Sequence, residues 1–292
     1  VTRVRSRPLM TLAVAAIAAA LLVPTRAVTW PPEGWRMVAC DVGQGDAVVL
    51  RSGDGHAVLV DTGPDPPLVD ACLDGLGVDG LDAVVLTHFH ADHVGGLPGA
   101  LSGRTVSRVV VGPVAEPAAA AEEVSRLARA HGATVQVVRT GDRLRLGDVD
   151  ATVWSPSRRI GDGSVPNNAS VVLAASLGAL DVLLLGDVER EAAHDLLLRI
   201  RRDPAMAAAA SGFEVVKTPH HGSSNLDAEL MALVAAPVAL VSVGADNDYG
   251  HPTAAHLEML RADGSAVFRT DQRGDIAVLE GRDGSMVVIT SR

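Results

Sequence analysis

The run Thr87-His88-Phe89-His90-Ala91-Asp92-His93-Val94-Gly95-Gly96 constrains this chain more than any other stretch. It places three imidazoles and a carboxylate between His88 and His93, directly after the apolar, strand-like Ala83-Val84-Val85-Leu86. Such donors suit zinc, manganese or iron, and four of them exceed what a helix cap requires. On extended chain His88 and His90 point to one side, while Asp92 and His93 open the next turn and reach a second ion beside the first. Gly95-Gly96 lets the backbone fold tightly enough to close the cup. Solvated loop histidines are the bland alternative, and the spacing argues against them. The segment reads as half of a two-metal hydrolytic centre.

A two-metal site takes about eight ligand contacts, so further donors are expected elsewhere. Asp187 follows Val182-Leu183-Leu184-Leu185-Gly186, so its carboxylate emerges at a strand end; it is equally placed to cap a helix beginning near Glu189. His220 and His221 follow the strand-like Glu214–Lys217. Neighbours on extended chain point opposite ways, so one of the pair is expected to bind metal and the other to touch substrate or support the shell. Asp61, closing Leu59-Val60-Asp61, is placed to accept a histidine ring N–H and fix its tautomer, or to form a turn before Thr62-Gly63. Gln44 and Asp46 lie in a Gly-bounded loop, either at the rim of the site or as ordinary turn residues. Lys217, Ser223, Ser224 and Asn225 flank the histidine pair and are candidates to hold phosphate oxygens. His251, before Pro252, is a candidate proton donor to a leaving oxygen or a phosphate clamp, and fits an ordered loop as well. Tyr249, the only tyrosine, is a candidate to stack a base.

Taken in order, the opening motif and five further segments resemble the metallo-β-lactamase superfamily. These are Asp41-Val42-Gly43-Gln44-Gly45-Asp46, Asn167-Asn168-Ala169-Ser170-Val171-Val172-Leu173, Leu185-Gly186-Asp187, Lys217-Thr218-Pro219-His220-His221-Gly222-Ser223-Ser224 and Tyr249-Gly250-His251-Pro252. Within the superfamily they are most similar to the extracytoplasmic hydrolase domain of ComEC-type DNA-uptake proteins, from about Trp35 to about Ile289. The resemblance implies a four-layer α/β/β/α sandwich with its site at one edge, one or two divalent ions (manganese or zinc), and DNA as substrate class. Residue by residue it implies ligation by His88, His90, Asp92, His93, Asp187 and His220, with Asp187 bridging both ions and His221 on substrate or in the surrounding shell. The roles of His220 and His221 are interchangeable at this stage.

One departure matters. Many members carry another histidine between the opening motif and the Asp187 equivalent. Here His131 falls in a helix-like run, and the matching region reads Asn167-Asn168-Ala169-Ser170, with Asn168 the candidate. An amide oxygen or water at that place suits a harder ion than zinc, hence manganese. Alternatively, only the site of Asp92, His93, Asp187 and His220 fills firmly. ComEC-type proteins also form a DNA channel from many membrane helices. This chain carries one apolar segment at most, so it is either a piece of a larger polypeptide or a free-standing relative, with a DNA-uptake membrane channel as a possible partner.

A formal charge of -10 argues against a broadly basic nucleic-acid binder. It leaves a nuclease open, because bound divalent ions add local positive charge that a residue count misses. Aromatics make up 2% of the chain, so the core must be built from Val, Leu and Ala. Cys40 lies in a strand-like run and Cys72 in a helix-like one, and buried thiols are expected, with a single bridge open if the domain is exported. Arg3, Arg5 and Arg7 precede the apolar run Leu9–Val23. At about 1.5 Å per residue that run covers roughly 22 Å, short of a hydrocarbon core of about 30 Å. It fits a marginal membrane-spanning helix or a signal segment, with the arginines inside and the rest of the chain outside the cytoplasmic membrane. The expected division is 1–29 as anchor or signal, and 30–292 as the hydrolase domain.

From Trp35 onward, short β-branched runs alternate with helix-like segments at Leu68–Leu76, Ala118–His131, Glu189–Arg202, Leu226–Val234 and Ala254–Arg261. Many strands with interspersed helices, and no Gly-rich dinucleotide loop, fit two packed sheets flanked by helices. The leading expectation is metal-assisted hydrolysis of a phosphodiester, with Asp92, Asp187, His251 and Lys217 at the chemistry. Its rivals are a carbonyl hydrolase acting on a lactone, thioester or β-lactam, and a degenerate metal fold that binds DNA or a protein.

Overall fold

Period-two burial along short Val-, Leu- and Ala-rich runs builds two sheets, because each strand must bury one face against a partner layer. The structure is a computed structural model that describes residues 29–281 and 285–292. The apolar run Leu9–Val23 and its arginines lie outside the described residues. Among the described residues no helix is long and apolar enough to cross a membrane.

The first sheet holds β1 (Trp35–Ala39), β2 (Val48–Gly53), β3 (His56–Val60), β4 (Gly80–Leu86), β5 (Thr105–Val106), β6 (Arg108–Val111), β7 (Thr134–Val137), β15 (Ile276–Glu280) and β16 (Met286–Thr290). Its order is β16-β15-β1-β2-β3-β4-β6-β7, with β5 beside β4. The second holds β8 (Arg143–Leu146), β9 (Val149–Ser155), β10 (Val172–Leu177), β11 (Leu180–Leu184), β12 (Val215–Lys217), β13 (Val238–Val241) and β14 (Ala266–Arg269), in the order β14-β13-β12-β11-β10-β9-β8. In each sheet one half is parallel: β3-β4-β6-β7 and β11-β12-β13-β14. Parallel neighbours end on the same side, so the loops that follow them gather at one edge.

Between the sheets, Met37, Leu50, Val58, Val60 and Val85 meet Val153, Leu173, Val182, Leu184 and Leu240. On the far face of the second sheet, Leu183, Leu185, Val216 and Val241 pack on Leu196, Leu197 and Ile200 of the helix Arg190–Arg202 and on Leu257 and Leu260 of the helix Ala254–Ala262. The helices Pro66–Gly75 and Ala118–Ala130 bury Val69 and Leu73, and Val124 and Ala128. Spacings of three and four put those residues on one stripe of each helix. The result is two sheets flanked by helices.

Two elements depart from the sequence pattern. β8 reads Arg-Leu-Arg-Leu with both leucines buried, an edge strand whose charges hide its alternation and block further strand pairing. Residues 204–210, rich in Ala after Pro204, form a helix capped by the Asp203 carboxylate, which accepts from the Ala205 and Met206 N–H groups.

The cysteines are a correction. Cys40 and Cys72 form a disulfide rather than two buried thiols. Cys40 follows β1 just before the loop Asp41–Asp46, and Cys72 sits in the helix Pro66–Gly75, so the bond staples the end of β1 to that helix. Neither segment alone signals this pairing, because it depends on where β3 places the helix. Closing a loop over a sequence separation of 32 stabilises mainly by constraining the unfolded chain. Cys40→Ser with Cys72→Ser should therefore lower the unfolding free energy by about 3–4 kcal/mol, as read by urea denaturation of both proteins.

Candidate metal centre

Strand ends supply the site. Asp61 follows β3, Thr87 and His88 follow β4, Asp187 follows β11, and Thr218 to His221 follow β12. Val94 closes the one-turn helix Ala91–Val94 that carries Asp92 and His93. That turn is pressed against its surroundings: a Cβ at Gly96 would lie 1.9 Å from the Thr62 carbonyl oxygen, and one at Gly45 would lie 2.2 Å from that of Asp92. Only glycine admits so close a backbone approach.

Asp92, His93, Asp187 and His221 each bring one donor atom into a group whose members all lie within 4.8 Å of one another. His93 Nε2 is 3.3 Å from Asp187 Oδ2 and 3.7 Å from Asp92 Oδ2. His221 Nε2 is 3.4 Å and 3.3 Å from the same two atoms. Each imidazole is held from behind. His93 Nδ1 donates to Asp61 Oδ2 at 2.8 Å, and Asp61 also accepts from the Thr87 N–H and hydroxyl. His221 Nδ1 donates to the Ser242 carbonyl at 2.9 Å, with Asp46 Oδ1 at 3.3 Å. Both Nε2 atoms and Asp187 Oδ1 are buried without a hydrogen-bond partner. Buried polar atoms are rarely left so, and three around one point fit a divalent cation.

The electrostatics agree. Burial disfavours a charged imidazole at His93, yet the Asp187 and Asp61 carboxylates hold its pKa well above the ordinary histidine value. His221 is raised likewise against its burial, by Asp187 and Asp46. Burial pushes against the Asp187 charge too, and His221 and His93 hold its carboxyl well below the usual range. The cluster thus stabilises positive charge in whatever form occupies it.

His88 and His90 stand differently. His88 is buried, its Nδ1 facing the Thr87 and Ser170 hydroxyls at 3.1 and 3.4 Å, and its Nε2 lies 3.1 Å from His90 Nδ1. Burial and then the neighbouring His93 push its pKa well below the ordinary value. His88 is packed beside His93 at 4.1 Å between ring centroids, so a second ion would share this wall.

The expectation of extended chain at His220-His221 is corrected. Both residues adopt left-handed backbone, with φ of 46° and 51°. That reverses the chain, so His221 turns into the cluster and His220 stays at the rim, its Nε2 3.8 Å from Asp187 and its Nδ1 3.8 Å from Glu189. Left-handed backbone costs roughly 1–2 kcal/mol per non-glycine residue and persists where packing imposes it.

Three other expectations are corrected. Lys217 is buried and paired with Asp46 beneath the site, so it touches no solvent-borne phosphate. Asn168 does not reach the cluster: its Oδ1 accepts from the Glu189 and Ala192 N–H groups and caps the helix Arg190–Arg202. Ser223 Oγ is occupied by the Asn225 N–H, Ser224 is exposed, and neither lines the cavity.

Above the cluster opens a cavity of about 600 Å³ lined by Gln44, His90, Asp92, Asn167, Asp187, His220, His221, Tyr249 and His251, with Pro64 and Ala91. Among the described residues no lysine or arginine lines it. Asn167, which the sequence pattern passed over for its neighbour, donates Nδ2 to Glu189 and leaves a buried Oδ1 without a partner. His251 lies edge-on to His220 and under Tyr249, which is 72% exposed. Burial, then His220 and His221, push the His251 pKa down to about 4.

Residues 40–244 match the metallo-beta-lactamase superfamily. ComE operon protein 3 of Bacillus subtilis (strain 168) is 31% identical over 81% of this chain and 32% of its own length. Competence protein ComA of Neisseria gonorrhoeae is 29% identical over 84% of this chain and 32% of its own length. The chain therefore spans about a third of these relatives. The crystal structure of zinc-bound PqqB from Methylobacterium extorquens superposes with a TM-score of 0.50 at 11% identity, covering 80% of this chain and 97% of that one. That likeness is one of fold.

The geometry separates the two adjacent histidines. His221→Ala should weaken manganese or zinc binding by about 10–100-fold or more, whereas His220→Ala should leave it within a few-fold of wild type. Competition with a chromophoric chelator measures both. Equal losses would show that the left-handed turn does not sort them.

Proposed function

The chain belongs to the metallo-beta-lactamase superfamily, and we propose that it is a metal-dependent hydrolase of phosphodiester bonds with DNA as its substrate. One observation carries the reading: Asp92, His93, Asp187 and His221 converge, with buried and unpaired donor atoms, at the floor of an open cavity. One or two divalent ions there would supply Lewis acidity, acidifying a water and neutralising charge on phosphoryl oxygens.

The surrounding side chains do the rest. Asp92, with 32% of its side chain exposed, lines the cavity and orients the attacking water as a hydrogen-bond acceptor. The unpaired Asn167 Oδ1 and the neighbouring Gln44 flank the floor and position groups on either side of the bond that breaks. His251 stands on the wall with Nδ1 unpaired, placed to hydrogen-bond the leaving oxygen. Tyr249, exposed at the mouth, offers a flat face to a base. A cavity without lysine or arginine leaves charge neutralisation to the ions, which suits a singly charged diester better than a doubly charged monoester. The names of the competence relatives support DNA over a carbonyl substrate.

We further infer that the domain works outside the cytoplasmic membrane, beside a DNA-uptake channel. The Arg-flanked run Leu9–Val23 and the Cys40–Cys72 disulfide support this, since disulfides persist in oxidising compartments. A reporter fused after Arg292 should be active only outside the cytoplasm. Activity confined to the cytoplasm would overturn the placement.

Catalysis is tested on protein stripped of metal and refilled with manganese or zinc. Asp187→Ala should lower turnover on DNA by orders of magnitude without unfolding the protein. His251→Ala should cost about 10²-fold in turnover. Tyr249→Ala should act chiefly on KM. Wild-type protein that spares DNA yet opens a lactone or β-lactam would make it a carbonyl hydrolase. Inertness toward all three would make it a binding domain.

A further inference from the structure

Lys217 is the only lysine in the chain, and it ends β12 between the parallel strands β11 and β13, opposite Leu184 and Leu240. Its exposure is 1%, and the rest of β12 and all of β13 are Val, Ala and Leu. Burying an ammonium carries a desolvation penalty that an apolar side chain of similar volume would avoid. The charge therefore serves something other than packing.

Its partner is Asp46, which joins several parts of the site. The Asp46 N–H donates to the Asp92 carbonyl at 3.3 Å, and its own carbonyl accepts from the Gly63 N–H at 2.7 Å. Its Oδ2 meets the Lys217 ammonium, while Oδ1 lies 3.3 Å from His221 Nδ1. Oδ2 is also 3.9 Å from His93 Nδ1, so the carboxylate has two imidazoles within reach. Behind them the Ser242 hydroxyl donates to the Gly45 carbonyl and holds the loop that carries Asp46.

We propose that Lys217 is a positioning residue: it pins one oxygen of Asp46 so that the other faces His221 Nδ1 and keeps His221 Nε2 turned toward Asp92, His93 and Asp187. This rests on the reading of that cluster as a cation site. Without the ammonium, Asp46 is an unpaired buried anion free to turn toward His93, and His221 loses one of its two rear acceptors. Partners of this kind set ligand orientation and basicity, and their loss costs metal affinity rather than fold alone.

The test is a set of variants titrated with manganese and zinc against a chromophoric chelator, with thermal melting of each metal-free protein followed separately. Wild type should bind an ion, and failure to do so would refute the metal reading itself. Lys217→Met should raise the Kd by about tenfold or more. Two charge-neutral pairs then separate positioning from charge balance. Asp46→Asn with Lys217→Met keeps an oxygen that accepts from His221, and should recover most of the loss. Asp46→Ala with Lys217→Met leaves only the Ser242 carbonyl behind His221 and should stay weak. Equal affinities for the two pairs, or a wild-type Kd in Lys217→Met, would overturn the proposal. If Lys217→Met alone fails to fold, the two neutral pairs still decide.

Discussion

Carboxylates held out of water at close range govern this molecule. Asp46, Asp61 and Asp187 are buried, and Asp92 stands partly exposed beside them. Such a group is untenable unless positive charge or hydrogen-bond donors answer every oxygen. Two answers are built in. Asp61 takes the Thr87 N–H and hydroxyl together with His93, and Asp46 takes Lys217 with His221. The Asp187 backbone N–H donates to the Ser170 hydroxyl oxygen, but its carboxylate Oδ1 is left without a partner. Asp61 is bonded at both oxygens, Asp46 has Lys217 at one oxygen and His221 3.3 Å from the other, and Asp187 lines the cavity with Oδ1 open, which separates scaffold from site.

That division explains why the surrounding loops are so tightly specified. The turn bearing Asp92 and His93 sits against Gly45 and Gly96 at distances that no side chain tolerates. The chain at His220-His221 takes backbone angles that ordinary residues avoid. Strain of this kind persists only where packing on all sides enforces it, and here the wall is the disulfide-stapled loop on one side and the helix-backed second sheet on the other.

The two packed sheets were legible because strand patterns and the histidine-rich motif are local: Ala83–Leu86 followed by three histidines needs no tertiary information. Tertiary placement was not legible. The sequence cannot show that Lys217 points beneath the floor, since a lysine beside two histidines looks like a phosphate contact. Nor can it show that a left-handed turn exchanges His220 and His221, because alternation presumes extended chain. Asn167 and Asn168 are one residue apart, and only the helix that Asn168 caps decides which amide reaches the cavity. The Cys40–Cys72 bond was hidden for the same reason, as were the arginine-masked leucines of β8.

The donors of the cluster sit on strand ends and on the one-turn helix beside them, whereas Tyr249, in a largely exposed stretch, stands on the cavity wall. Floor and mouth are therefore separable units of variation. Changes at the strand ends alter whether a bond is broken, and changes in the exposed stretch alter which molecule arrives. A lineage can shift its substrate through that stretch without dismantling the reaction, and an engineer can exchange it as a cassette.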